Sequence, residues 1–260
     1  GSRYTGDLLK RLFGLSDQRM PLLSENGLKR DFLRQPVMVE SERVGGLAKF
    51  CSCHMMSQVA IESVERLAGC STAQKVKLLF VGRLVPYKSA DMLIESLSLL
   101  SAEILQQVEL MIVGDGPERD FLMRQVADLG LAAQVRFVGW VDHAQTLTYY
   151  RRADMYCFPS VREFGGAVVL EAMANGLPCV VVNHGGIGEY VTGETGFRIE
   201  PISREFVVGQ LAEKVSLLVR SPTIRREMGE QAVLRAKAFT WAEKAEKILE
   251  IYEELLREKD

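Results

Sequence analysis

The chain has 260 residues, enough for one large domain or for one domain and part of another. It is 47% hydrophobic and 25% charged, as expected of a globular protein with a core of normal size. The net charge is −2 and no basic run is present, so the pattern typical of nucleic-acid-binding proteins is missing. No apolar stretch approaches the roughly 18 residues that would indicate a membrane span.

From Val76 onward, apolar runs alternate with segments of helical periodicity. Six runs are predicted to be strands: 76–81, 108–113, 135–138, 155–158, 179–182 and 196–199. Helices are predicted at 89–100, 117–130, 142–152 and 166–175, and from Ser203, Pro222 and Thr240. Ser89 and Asp142 are the predicted N-caps of two of them.

This alternation predicts an α/β fold: a doubly wound, mostly parallel, Rossmann-like sheet of about six strands with helices on both faces. The strands are continuous apolar runs, as expected when both faces of a sheet are buried. Ligands of such sheets bind beyond the carboxyl ends of the strands. The candidate loops are therefore those after Val81, Val113, Val138, Phe158 and Val182, where most of the glycine-rich segments lie.

The first part of the chain has a different pattern. A helix is predicted at 5–13, a short strand at 20–23, a turn at Asn26-Gly27, and one or two amphipathic helices within 46–68. We therefore divide the chain into an N-terminal extension, 1–75, which is helical or irregular, and a Rossmann-like domain, 76–260.

The five cysteines are odd in number and irregular in spacing, which argues against a disulfide framework and fits a reducing cytoplasm. The Cys51-Ser52-Cys53-His54 segment resembles half of a metal site, but no second ligand pair follows it. Structural zinc requires four well-spaced ligands, so we expect no metal site.

Two cations, Arg83 and Lys88, follow the first strand in the segment Gly82-Arg83-Leu84-Val85-Pro86-Tyr87-Lys88. At the carboxyl end of a strand, such a pair can neutralise a diphosphate, with arginine as a bidentate donor and lysine as a point charge. The alternative is two solvated loop cations. Position and context favour the diphosphate site.

The segment Gly114-Asp115-Gly116-Pro117-Glu118-Arg119 follows the second strand and opens a helix. It matches only part of a dinucleotide-binding fingerprint, because Arg119 occupies the third glycine position. We interpret it as a tight strand-to-helix turn with a mainly structural role.

The strongest pattern is the segment 159–178, in which Glu163 and Glu171 are separated by seven residues. Glu163 lies in the loop after a strand, and Glu171 lies inside the following helix. Gly165 and Gly166 allow a ligand to approach the backbone, and the start of the helix offers amides to phosphate. Glu171 has apolar neighbours on both sides, so its carboxylate needs a partner.

A third glycine-rich segment, His184-Gly185-Gly186-Ile187-Gly188-Glu189, precedes a predicted helical turn. It could line a bound sugar. A purely structural helix-start turn, with Glu189 near the positive end of the helix, explains it equally well.

Together these segments resemble the C-terminal domain of the family 4 retaining glycosyltransferases, which is one half of a GT-B fold. The resemblance covers the chain from about Lys77 to the last helix. It depends most on Glu163 to Met173 with the trailing Ala-Met-Ala-x-Gly-x-Pro, on Gly82-Arg83 with Lys88, and on Gly185-Gly186 with Glu189.

The resemblance implies a role for each matched residue. Glu163, Arg83 and Lys88 would be the catalytic residues: the two cations would hold the diphosphate and stabilise it as a leaving group, and Glu163 would contact the transferred sugar. Glu171 would bind the ribose hydroxyls. The donor-binding set implied in this way is Gly82, Arg83, Lys88, Trp140, Val141, Glu163, Phe164, Gly165, Gly166 and Glu171, with the base near Trp140 and Val141.

The donor would be an NDP-sugar, used without a cofactor and without a metal. The enzyme would transfer a hexosyl group from it to a glycan or lipid-linked acceptor. The partners implied are the nucleotide-sugar and an N-terminal acceptor-binding domain, of which residues 4–32 resemble only the last piece. No nucleic-acid partner is expected. We expect a cytoplasmic protein, and the resemblance allows the full-length enzyme to associate peripherally with the inner face of a membrane.

The sequence departs from the family pattern at two positions that bear on the site. Phe164-Gly165-Gly166 differs from the usual order after the first glutamate, which leaves the role of Phe164 open. Ser89 replaces the glycine that commonly follows the lysine.

Other functions remain open at this point. They are one half of a non-hydrolysing NDP-sugar epimerase, a non-enzymatic nucleotide-binding module and, less favoured because of Arg119, a dinucleotide-dependent oxidoreductase. The spacing of the two glutamates favours the transferase over the epimerase, and the presence of both cations and both glutamates argues against a module without activity.

Overall fold

The structure is a computed structural model that describes residues 75–163 and 165–257. The predictions for the N-terminal extension, for Cys51, Cys53 and His54, and for Phe164 lie outside the described residues.

The described residues form one parallel sheet of six strands. Its strands are β1 (Val76–Val81), β2 (Val108–Val113), β3 (Val135–Gly139), β4 (Met155–Phe158), β5 (Cys179–Val182) and β6 (Gly196–Ile199). They lie in the order β3-β2-β1-β4-β5-β6, and each neighbouring pair is parallel. The predicted doubly wound α/β fold is confirmed.

Helices connect the strands and complete the domain. They are α1 (Ala90–Ser98), α2 (Ala102–Gln106), α3 (Arg119–Asp128), α4 (His143–Arg152), α5 (Ala167–Ala174), α6 (Gly185–Tyr190), α7 (Arg204–Arg220), α8 (Pro222–Lys237) and α9 (Trp241–Arg257). Within this set α1 packs against α3 and α7, and α5 packs against α6 and α8. Because parallel crossovers are right-handed, these two groups cover opposite faces of the sheet.

The helix boundaries differ from the prediction at several positions. The helix predicted at 89–100 is α1, which spans Ala90–Ser98. The short helix α2 that follows it was not predicted, and Ser101 caps it by accepting a hydrogen bond from the Ile104 amide at 3.4 Å. Helix α3 begins at Arg119 rather than Pro117, because Pro117 and Glu118 form a turn in which the Arg119 amide donates to the Gly116 carbonyl at 3.1 Å.

The residues at the N-cap positions are of two kinds. Ser203 caps α7 through its hydroxyl, which accepts from the Phe206 amide at 3.2 Å. Ser89 and Asp142 occupy the N-cap position of α1 and α4, but their side chains form no capping hydrogen bond. Both predicted N-cap positions are therefore confirmed, although neither side chain caps its helix. Ser89 has a φ of 55°, so its backbone, not its side chain, turns the chain into α1.

The strand order places the topological switch point between β1 and β4. Successive strands run outward from β1 to β2 and β3, and then from β4 to β5 and β6 on the other side. In sheets of this kind the loops diverge at the switch point and leave a crevice beyond the carboxyl ends of the strands. The loops that enter this crevice are 82–89 and 159–166.

The core consists of the strands and the inward faces of the helices. Leu78, Phe80, Met155 and Phe158 are completely buried, and their neighbours in β2 and β5 are nearly so. In the two described ranges, no helix is both long and apolar enough to cross a membrane.

Candidate functional site

The loops after β1 and β4 are joined at the switch point by hydrogen bonds to one carbonyl group. The Tyr87 carbonyl accepts from the Val161 amide at 3.0 Å and from the Ser160 hydroxyl at 3.2 Å. Ser160 is completely buried, so this junction is shielded from water. It fixes the short helical turn Pro86–Lys88 against the segment that contains Glu163.

Lys88 and Glu163 meet directly at this junction. The Lys88 ammonium donates to Oε2 of Glu163, and the other carboxylate oxygen accepts from the Gly166 amide at 3.3 Å. The ammonium also lies 5.0 Å from the centre of the Phe158 ring. Both side chains are about one-sixth exposed. The structure thus gathers a cation, a carboxylate and the start of α5 in one place.

The glycines that follow Glu163 are shaped by close packing. Gly166 has a φ of 52°, and a Cβ atom on it would overlap Cγ2 of Ile187. A Cβ atom on Gly185 would overlap the carbonyl oxygen of Glu163. The glycine-rich segment that begins α6 therefore packs directly against the loop that contains Glu163. Tyr190, at the end of α6, donates to the Gly165 carbonyl at 2.8 Å.

Glu171 lies on α5 and has the partners that its apolar surroundings require. Oε2 accepts from the Tyr150 hydroxyl at 3.1 Å, and Oε1 lies 3.0 Å from Nε2 of His143. Only about one-eighth of the Glu171 side chain is exposed.

His143 and Tyr150 were not identified as site residues from the sequence. They are seven positions apart on α4, and therefore lie on the same face of that helix. This spacing was visible in the sequence. The sequence did not show that this face of α4 contacts Glu171. That contact depends on the path of α4, which returns from β3 at the edge of the sheet to β4 near its centre.

The Tyr150 phenol is held in its neutral, donating form. Burial raises its pKa well above the usual value, and the neighbouring Tyr156 and Glu171 act in the same direction. Tyr156, which is also buried, has a raised pKa for the same main reason, and its hydroxyl donates to the Val81 carbonyl at 3.2 Å.

The remaining candidate residues also follow strands, at the same edge of the sheet. Arg83 follows β1 and is exposed, and its only hydrogen bond within the described part of the chain is through its backbone carbonyl, which accepts from the Val85 amide at 3.1 Å. Trp140 follows β3 with 72% of its surface exposed, and Val141 is half-buried against the core. In the described part of the chain, none of these residues forms a side-chain hydrogen bond or ion pair with Lys88 or Glu163.

The segment after β2 acts as a structural turn, in agreement with its interpretation from the sequence. A Cβ atom on Gly114 would overlap the Gly82 carbonyl, and one on Gly116 would overlap that of Leu84. The Leu84 amide donates to the Asp115 carbonyl at 3.0 Å. These glycines let the loops after β1 and β2 pack backbone to backbone, which fixes the course of the Arg83 loop.

Metal ligands are not clustered in the part of the chain that the structure describes. Across residues 75–163 and 165–257, no group of three or more His, Cys, Asp or Glu side chains is arranged to hold an ion. Metal-independent use of the donor stays a prediction.

A family model described as glycosyl transferases group 1 matches residues 71–235, well over half of the chain. The chain belongs to this family. Among curated proteins it is similar to the D-inositol 3-phosphate glycosyltransferase of Rhodococcus erythropolis, with 32% identity over 190 residues, which cover 68% of this chain and 41% of the relative. The enzyme of the same name from Nocardia farcinica is 33% identical and covers 69% of this chain, with 40% of the relative matched. The chain thus spans less than half the length of these relatives.

Solved structures show the same fold. The chain is similar to HepE of Anabaena in complex with UDP, with a TM-score of 0.61 and 24% identity over 76% of this chain and 53% of that one. It is also similar to the catalytic domain of the cholesterol-α-glucosyltransferase of Helicobacter pylori, with a TM-score of 0.58 and 21% identity over 64% of this chain and 100% of that one. The chain is therefore a C-terminal GT-B glycosyltransferase domain, as the resemblance implied.

Proposed function

We propose that residues 76–260 bind the nucleotide-sugar donor of a retaining, family 4 glycosyltransferase. The complete enzyme moves a hexosyl group from an NDP-sugar to a glycan or lipid-linked acceptor. The observation that carries this proposal is the meeting of Lys88, Glu163 and the start of α5 at the switch point.

The chemistry of this cluster suits a sugar diphosphate. The diphosphate needs cations, and the transferred sugar needs acceptors for its hydroxyl groups. Lys88 provides a point charge beside the carboxylate of Glu163, and the exposed Arg83 adds a planar donor from the same loop. The solved structure of HepE contains UDP, and that of the pneumococcal O-GlcNAc transferase GtfA contains UDP and GlcNAc, which supports a donor of this class.

Glu171 gives the cluster a second acceptor on the nucleotide side. It lies eight residues after Glu163, on the helix that begins at the phosphate-facing loop. A carboxylate accepts hydrogen bonds from vicinal hydroxyls, and this one is largely shielded from water. We assign it to the ribose, with Trp140 and Val141 near the base.

In the transfer step, the bond from the anomeric carbon to the diphosphate breaks and the acceptor oxygen attacks from the same face. Negative charge develops on the departing diphosphate, and Arg83 and Lys88 stabilise it. The leaving phosphate oxygen takes the proton of the acceptor. Fixed charges and correct positioning, rather than covalent chemistry, therefore supply the rate enhancement. The acceptor is bound by the other half of the GT-B fold.

Calorimetric titration tests the donor site. UDP, GDP and ADP, each free and as its glucose conjugate, are titrated into the wild type, Arg83→Ala and Glu171→Ala. We expect one nucleotide series to bind, and each substitution to weaken its binding by about tenfold or more. Arg124→Ala, which removes an exposed arginine of α3, is the matched control and should bind like the wild type.

Three results would overturn the proposal. They are the absence of binding by any of these nucleotides, unchanged affinity in both site variants, and preferential binding of NAD. Retention of the anomeric configuration is tested separately, on a protein that contains both halves of the fold, by NMR of the anomeric proton of the product. A product with inverted configuration would disprove the retaining mechanism.

A further inference from the structure

Two side chains of α4 contact the two oxygens of the Glu171 carboxylate. Tyr150 donates to Oε2 at 3.1 Å, and His143 lies 3.0 Å from Oε1. The two contacts differ sharply in their access to water. Tyr150 is 1% exposed, whereas 56% of the His143 side chain is exposed.

Tyr150 has little freedom to leave Glu171. Its ring packs against the ring of Tyr156, with 5.9 Å between the centres, and the core surrounds it. Its hydroxyl also lies 3.3 Å from the Val168 carbonyl, but a single hydroxyl proton favours the closer, charged carboxylate. The backbone of Glu171 is also held in place, because the Asn175 side chain donates a hydrogen bond to its carbonyl at 2.8 Å.

His143, by contrast, is open to solvent. It is the first residue of α4, where side chains are least constrained by neighbouring turns, and more than half of it faces solvent. A ligand that approaches from the crevice can therefore replace the imidazole at Oε1. It cannot replace the buried phenol at Oε2.

We propose that Tyr150 is a positioning residue for the ribose of the donor. It holds Glu171 through Oε2, so that Oε1 faces the crevice, and His143 occupies Oε1 until the ribose hydroxyls displace it. This inference rests on the proposed function, because it takes Glu171 to be the ribose acceptor. It assigns to the buried face of α4 a role in selecting ribose that the sequence pattern does not indicate.

The raised pKa of Tyr150 agrees with this role. Burial keeps the phenol protonated throughout the physiological range, so it acts as a constant donor to the carboxylate.

The test measures selectivity for ribose rather than affinity alone. The nucleoside diphosphate that binds in the titration above is compared with its 2′,3′-dideoxy analogue in the wild type, Tyr150→Phe, His143→Ala and Glu171→Gln. We expect the wild type to prefer the ribonucleotide by about tenfold or more, and Glu171→Gln to lose most of that preference. In Tyr150→Phe, the logarithm of the ratio of the two affinities should fall to half of the wild-type value or less. The affinity for the dideoxy analogue should be unchanged.

His143→Ala should keep the preference and bind the ribonucleotide as tightly as the wild type or up to a few-fold more tightly, since a competitor for Oε1 is removed. Tyr156→Phe is the matched control. It removes an equally buried hydroxyl that bonds to Val81 rather than to Glu171, and should keep the full preference.

The ratio of the two affinities does not depend on the folded fraction, so partial unfolding of a variant lowers both affinities and leaves the ratio intact. A Tyr150→Phe protein that weakens both nucleotides equally, or that keeps the full preference, overturns the inference. If Glu171→Gln loses the preference in the same experiment, the proposed function still stands. If the wild type binds neither nucleotide, the proposed function itself has failed.

Discussion

Lys88 and Glu163, which are 75 residues apart in the chain, form an ion pair where the loops after β1 and β4 meet. Both side chains are largely shielded from water, and the Glu163 carboxylate also accepts from the Gly166 amide. The pair therefore holds the two halves of the candidate site together before any ligand binds.

A double-mutant cycle on this pair measures its contribution to stability. Lys88→Ala and Glu163→Gln should each destabilise the domain, because each leaves the partner poorly solvated. We expect a coupling free energy of about 1–3 kcal/mol, between the values typical of exposed and buried pairs. Urea denaturation of the wild type, both single variants and the double variant gives the value.

The Arg226–Glu230 pair on α8 serves as the control. Its nitrogen and oxygen are 3.9 Å apart, and both side chains are about half exposed. A cycle on this pair should give less than about 0.5 kcal/mol. Equal coupling in the two cycles would show that Lys88 and Glu163 do not form the shielded pair described above.

Ser89 occupies a backbone conformation that suits glycine. Its φ of 55° lies in the left-handed region, and among the described residues it is the only one other than glycine with a positive φ. A glycine at this position would avoid this strain. Ser89→Gly should therefore raise the free energy of unfolding by about 0.5–1 kcal/mol, since the 3.5 Å contact of the Ser89 hydroxyl with the Pro86 carbonyl is weak.

Ser89→Ala separates the two contributions. It removes the hydroxyl but keeps the strained backbone, so it should be no more stable than the wild type. Thermal denaturation of the three proteins decides the matter, and a less stable Ser89→Gly protein would show that the hydroxyl matters more than the strain.

Gly165 and Gly166 are adjacent but should respond differently to the same substitution. Gly166→Ala forces a left-handed alanine and an overlap with Ile187, so we expect a loss of about 2–4 kcal/mol. Gly165 has open space around it, and Gly165→Ala should cost less than about 1 kcal/mol. Urea denaturation compares them, and equal losses would be inconsistent with the packing of α6 against the Glu163 loop.

Cys157 should make the domain less stable at alkaline pH. Burial raises the pKa of its thiol from 9.0 to about 12. Above pH 9 the unfolded chain releases this proton while the folded chain keeps it. The stabilising contribution is therefore complete below pH 9 and is lost as the pH rises towards 12, at about 1.4 kcal/mol per pH unit.

Cys157→Ala and Cys157→Ser test this dependence, because neither side chain titrates in that range. Urea denaturation between pH 8 and 11 should show a shallower decline for both variants than for the wild type, whatever their stability at pH 7. The buried Cys179, whose pKa is also raised by burial, maintains part of the decline. Parallel curves for wild type and variants would contradict the prediction.

The strands were predicted closely, and the helix ends less well. Five of the six strands have the predicted limits, and β3 extends one residue further, to Gly139. Strands that are buried on both faces appear as uninterrupted apolar runs that stop where the chain leaves the core. The start of α3 was placed two residues early, because Pro117 and Glu118 form a turn rather than the first residues of the helix. Proline at the first helical position is only a statistical preference, so the local pattern did not exclude this turn.

In the candidate site, too, the sequence predicted some features and not others. Glu171 was expected to need a partner because it lies in an apolar helix, and it has Tyr150 and His143. The partners themselves could not be named, since helical spacing shows which residues share a face but not what that face packs against.

By itself, the sequence determined the alternation of strands and helices, the family, and which charged and glycine residues follow the strands. All of these are local patterns of spacing and residue type. Only the tertiary structure decided that β1 lies beside β4, so that Lys88 meets Glu163, and that α4 turns Tyr150 and His143 towards Glu171. Strand order and helix packing depend on contacts between distant segments, and each of these choices is compatible with the same local pattern.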